Sequence, residues 1–135
     1  MQDVGLRNAI AALPEKERTS PQFVLQVINE LLDAANSEYG AAIANGKIAA
    51  AIEYQDSRGF VTYADRLLQG ISQQLAASNP EAHKAIASSM SELTKTWPAV
   101  IPPAKPVNTP PQVTQLIKTI EQNSQKIVNN SNTSA

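Results

Sequence analysis

The chain has 135 residues, 42% of them hydrophobic and 17% charged, with a formal net charge of −1. That length suits one domain with one core, and so much apolar sequence at so little net charge excludes a disordered chain. Eleven basic residues scattered among 12 acidic ones offer no phosphate-binding surface, and zero cysteines remove disulfides, thiolate metal sites, iron–sulfur clusters and thiol nucleophiles together.

In chain order, Asp3 to Leu13 reads as a short helix capped by Asp3 and ended by Pro14, with Leu6, Ile10 and Leu13 on one face. A charged connector follows. Thr19 or Ser20 then offers an N-cap oxygen, Pro21 suits the first helical turn, and Thr19-x-x-Gln22 fits a capping box. Leu25, Ile28, Leu32, Ala35, Tyr39 and Ala42 recur at steps of three or four, which is one helical face. Asn45-Gly46 is read as the end of this helix, because glycine tolerates the left-handed conformation of a C-cap.

The spacing predicts a second long helix over about 49–77, with Ile52, Asp56, Phe60, Tyr63, Leu67, Ile71 and Leu75 as its inward stripe. Gly59 and Gly70 lie inside it and point to close helix–helix contact or to a bend. Asn79-Pro80-Glu81 is the next helix start, with Asn79 as cap. Ala82, Ile86, Met90, Leu93 and Trp97 form its stripe, and Pro98 ends it.

Residues 98–111 hold six of the nine prolines and form a stiff connector, whose Val100, Ile101 and Val107 are expected to lie against the bundle. Thr109 caps a last helix carrying Val113, Leu116, Ile117, Ile120 and Ile127. Strand signals are weak throughout. The expected fold is therefore all-α: an antiparallel four-helix up-down bundle with a short extra N-terminal helix and a Pro-rich crossover before the last helix. Residues 1–128 form the domain, and 129–135 a flexible tail.

Catalytic signals are sparse. His83 is the single histidine, H-E-x-x-H is missing and no nucleophile elbow is present, so the chain reads as a non-enzyme. Chemistry gathers instead at Glu38 and Tyr39 on one helix end and Glu53, Tyr54 and Asp56 on the next helix start. Antiparallel neighbours bring these together, and Glu38, Glu53 and Asp56 are candidate ligands for a metal such as iron. The bland reading is that Arg58, Lys47 and Arg66 satisfy the same carboxylates by ordinary ion pairs.

Glu38-Tyr39-Gly40-Ala41-Ala42-Ile43-Ala44-Asn45-Gly46-Lys47-Ile48, followed by Glu53-Tyr54 and Phe60, resembles the extracytoplasmic helical domain associated with bacterial high-affinity iron permeases. In that family a Tyr-x-x-Ala-x-x-x-Gly helix end precedes a Glu-Tyr helix start, as Tyr39, Ala42, Gly46, Glu53 and Tyr54 do here. The resemblance covers about 20–80. The chain departs from it in lacking permease helices with an Arg-Glu-x-x-Glu motif and a Cys-x-x-Cys-His haem site, so transport and electron transfer do not carry over. What the resemblance implies is a stand-alone accessory or sensor-like module, exported with its signal peptide removed, that binds another protein or a metal ion. The alternatives are a cytoplasmic location and a structural or assembly subunit with no metal role. Neither nucleic acid nor membrane insertion is expected.

Overall fold

Ser20 opens the first long helix: its hydroxyl accepts a hydrogen bond from the Phe23 amide at 3.4 Å, and Pro21 takes the first position. The computed structural model describes residues 20–133, so the short helix expected over 3–13 lies outside the described residues. Helix α1 spans Pro21–Ala42, strands β1 and β2 span Ile43–Ala44 and Lys47–Ile48, and helices α2, α3 and α4 span Ala51–Ser78, Pro80–Thr94 and Pro110–Thr133. No helix among the described residues is long and apolar enough to cross a membrane.

The helices pack in a ring, α1 against α2, α2 against α3, α3 against α4, and α4 back against α1. Asn36 near the end of α1 accepts a 2.8 Å hydrogen bond from Thr114 near the start of α4, so this last pair is antiparallel as well. The result is the expected four-helix up-down bundle. Its core takes Leu25, Ile28 and Leu32 from α1, Val61, Leu68 and Leu75 from α2, Ile86, Met90 and Leu93 from α3, and Val113, Ile117 and Ile120 from α4. Burying each such side chain contributes about 1.5–3 kcal/mol, the largest favourable term available to a chain without disulfides.

Three local expectations are corrected. Asn45-Gly46 is not a helix C-cap: α1 stops at Ala42 and the two residues form the turn of a small antiparallel hairpin, Ile43 opposite Ile48 and Ala44 opposite Lys47. Both have positive φ, 55° at Asn45 and 72° at Gly46, the backbone that a tight two-residue hairpin turn demands. The carbonyl of Ala42 closes the loop by accepting from the amides of Ala49 and Ala50 at 2.7 and 3.2 Å.

The inward face of α2 is also rotated from the expected stripe near its start. Ile52 is 70% exposed, and the buried positions are Tyr54, Ser57, Phe60, Val61, Ala64, Leu68, Ile71 and Leu75. Ser57 and Ala64 carry little hydrophobic signal, so periodicity passed over them. Gly59 and Gly70 mark no close contact, because a Cβ at either would meet nothing within 4 Å. Gly59→Ala and Gly70→Ala should therefore each stabilise the protein by about 0.5–1 kcal/mol, read as a raised urea midpoint at constant m-value. A loss of stability would mean that these backbones need glycine's freedom after all.

Cap chemistry differs at the two later helices. Asn79 holds the cap position of α3 without a side-chain bond to the helix, its amide donating instead to Ser78 Oγ at 3.0 Å. Thr109 and Gln112 cap α4 reciprocally: the Gln112 amide donates to Thr109 Oγ1 at 3.3 Å, and the Thr109 amide to Gln112 Oε1 at 2.7 Å.

Candidate functional site

The hairpin end of the bundle concentrates the polar chemistry. Tyr39 closes α1 one turn before the hairpin, and Tyr54 lies on the first turn of α2; both are fully buried. Burial and the neighbouring Tyr54 push the Tyr39 phenol up to about 12, and burial also raises that of Tyr54, with Arg58 acting in the opposite sense. Both hydroxyls thus keep their protons at neutral pH and donate them. Tyr39 donates to the Asn108 carbonyl and Tyr54 to that of Ala99 at 3.4 Å, so each end of the Pro-rich connector is tied to the bundle.

Trp97 completes the clasp. Its indole nitrogen donates to Ser57 Oγ at 2.8 Å, and Ser57 donates onward to the Tyr54 carbonyl at 2.7 Å. The indole also meets the Tyr39 ring edge-on, with centroids 5.3 Å apart and planes at 75°. Asn108 donates its side-chain amide to Thr96 Oγ1 at 2.8 Å, bridging the two ends of the connector. Trp97 and Phe60 are core anchors as expected. The expectation that Val100, Ile101 and Val107 pack inward is overturned: they are exposed, and the connector is held through its backbone carbonyls instead.

Sequence reading missed Ser57, Thr96 and Asn108 in this network. A serine three residues after a tyrosine, followed much later by a lone tryptophan, gives no signal until folding brings them together. Both buried hydroxyls are partnered: Ser57 donates at its own site and accepts from Trp97, and Thr96 accepts from Asn108.

Glu38, Glu53 and Asp56 are all half-buried at this same end. Burial raises the Glu38 carboxyl above its ordinary value, and the charges of Asp56 and Glu53 on α2 raise it further. Among the described residues, none of Lys47, Arg58 and Arg66 forms an ion pair with them; the Lys95–Glu92 pair at 2.9 Å is exposed at the end of α3 and involves none of the three. Nor do any three His, Asp or Glu side chains among the described residues converge as a ready-made metal cluster.

His83 lies on the first turn of α3, half-buried, with Nε2 buried and lacking a hydrogen-bond partner among the described residues. No nucleophile or carboxylate engages it there. A cavity of about 210 Å³ beside Trp97, lined by Arg58, Thr62, Asp65 and Thr94, falls below the ~300 Å³ at which pockets begin to hold organic ligands.

A family model described as the iron permease-associated 4-helix bundle domain matches residues 14–131. The chain belongs to that family. Comparison with curated proteins gives no match, and neither does comparison with solved structures. The match extends well past the 20–80 stretch that carried the resemblance and spans the connector and α4 through residue 131. The family's description names an association with permeases and no reaction.

Proposed function

We propose that this chain is a non-enzymatic, extracytoplasmic accessory or sensor-like module of an iron-uptake system, with Glu38, Glu53 and Asp56 as its cation-binding groups. Membership of the iron permease-associated family carries the reading. Carboxylate oxygens are hard donors suited to iron and to other hard or borderline cations. A cation bound beside Glu38 would offset the charges of Asp56 and Glu53 that bear on its carboxyl. Since the three do not form a complete cluster, one or two would ligate directly and water would fill the remaining positions.

Isothermal titration with iron, manganese, copper, zinc and calcium tests this. The expected result is binding of at least one cation by the wild type, and loss of that heat in the Glu38→Gln, Glu53→Gln, Asp56→Asn triple variant. Identical titrations for the two proteins, or no heat from either, would remove the metal role. An assembly subunit without a metal role is the second reading, favoured by apolar side chains that stay exposed at the same end.

A further inference from the structure

The hairpin turn sets a side-chain amide beside a main-chain nitrogen that can attack it. Asn45 and Gly46 are both exposed. Among the described residues no hydrogen bond engages the Asn45 side chain or the Gly46 amide, because the strand pairs on either side hold the turn. The Gly46 N–H is therefore open to water and hydroxide, and glycine has no side chain to shield it. A five-membered ring closes when this nitrogen reaches Cγ of Asn45.

Closure requires the Asn45 backbone to leave the turn conformation, and little opposes that. Each strand is two residues long, and a two-stranded ribbon of that size is marginal by itself. Below the tip, the Ala42 carbonyl holds the amides of Ala49 and Ala50, so α1 and α2 stay joined at the base while the tip opens.

The other asparagines with described side chains are protected. Asn29, Asn36, Asn123 and Asn129 lie inside α1 and α4, where the amide after each is bonded to the helix backbone. Three of these also engage their carboxamides, Asn36 with Thr114, Asn123 with Thr119 and Asn129 with Gln125. Asn79 precedes Pro80, which has no N–H to ionise. Asn108 donates to Thr96, and the amide that follows it, on Thr109, donates to Gln112.

We propose that Asn45-Gly46 is a site of spontaneous covalent modification. Hydroxide removes the Gly46 amide proton, and the nitrogen adds to Cγ of Asn45. The new N–C bond forms, the Cγ–Nδ2 bond breaks, and the departing nitrogen takes a proton from water and leaves as ammonia. Water then opens the cyclic imide at either of its two carbonyls. One opening leaves aspartate at position 45; the other leaves isoaspartate, whose main chain runs through the side-chain carbon. Either product adds one negative charge to a chain whose net charge is −1. The isoaspartyl form also lengthens the turn by one backbone atom, which works against the pairing of Ile43 with Ile48, and both of those side chains pack on the core.

Incubation of the full chain tests this, with peptide mass spectrometry following the gain of about 1 Da as –OH replaces –NH2. In the folded protein Asn45 should react on the order of a hundredfold faster than Asn36 or Asn123, whose successor amides are held in helices. Its rate should rise roughly tenfold from pH 7.5 to pH 9, following the deprotonated amide. In concentrated urea Asn36 and Asn123 should speed up about tenfold or more, while Asn45 stays within about threefold of its folded rate. An isoaspartate-specific methyltransferase should label the hairpin peptide of the incubated wild type. Asn45→Gln should remove both the label there and the early mass gain, because closure would then need a six-membered ring. A folded Asn45 no faster than Asn36 or Asn123, or more than about threefold slower than in urea, would overturn the proposal by showing that the turn protects it. So would an early mass gain that persists in Asn45→Gln.

Discussion

Replacing Trp97 with alanine should lower the melting temperature by ~10–20 °C, corresponding to a loss of about 3–5 kcal/mol. Three contributions vanish together. Trp97 is only 5% exposed, its indole nitrogen donates to Ser57, and its ring meets Tyr39 edge-on. Against a total stability of about 5–15 kcal/mol, that is a large fraction of what holds the bundle together. Ser57→Ala separates the polar part from the packing part. It leaves the indole in place with a buried, unpaired N–H and should cost about 1–3 kcal/mol. Chemical denaturation of both variants reads the difference. If Trp97→Ala costs no more than Ser57→Ala, the indole is not an anchor and the clasp is decorative.

The second large effect is a dependence on pH centred on the seam between α1 and α4. Glu121 on α4 is half-buried, and burial together with a shared hydrogen bond and charge repulsion from Asp33 on α1 pushes its carboxyl up to about 7. A carboxyl raised in the folded state holds its proton there while the unfolded chain has already released it. Stability from this group is therefore fully present below the ordinary carboxylate value of 4.5, falls as pH rises, and levels off above about 7. Glu38, raised as well, acts in the same direction. Glu121 remains partly solvated, so screening reduces the linked energy to about 1 kcal/mol. The wild type should thus melt ~3–5 °C lower at pH 8 than at pH 5, judged against Glu121→Gln measured alongside. The glutamine variant keeps a hydrogen-bond donor and cannot ionise, so it should match the wild type at pH 5 and exceed it at pH 8. Parallel curves for the two proteins across that range would show that the Asp33–Glu121 contact is not proton-linked.

Where polarity and spacing coincide, the sequence is easily read. The starts of α1 and α4 follow from Ser20-Pro21 and from Thr109 before Pro110, because a side-chain oxygen and a proline satisfy the same orphan amides wherever they occur. The inward face of α1 is legible because Leu25, Ile28 and Leu32 are large and apolar at helical steps. Reading fails at the start of α2, where Ile52 looks like core and is exposed while Ser57 looks like surface and is buried. It fails again at Asn45-Gly46, where one dipeptide suits both a helix end and a hairpin turn, and only the pairing of Ile43 with Ile48 separates them.

The amino-acid order alone determined that this protein is a cysteine-free bundle of four helices with a proline-stiffened crossover, because periodicity, caps and prolines act over a few residues and need no distant partner. Only the tertiary structure decided what the two ends of that crossover grip. Tyr39 reaches Asn108 and Trp97 reaches Ser57 across long stretches of chain, and no local rule links such residues. The same holds for the carboxylates: their residue type is written in the sequence, but whether cations neutralise them depends on which side chains folding brings within reach. Among the described residues, it sets Glu53 and Asp56 where their charges bear on Glu38, and none of the three forms an ion pair.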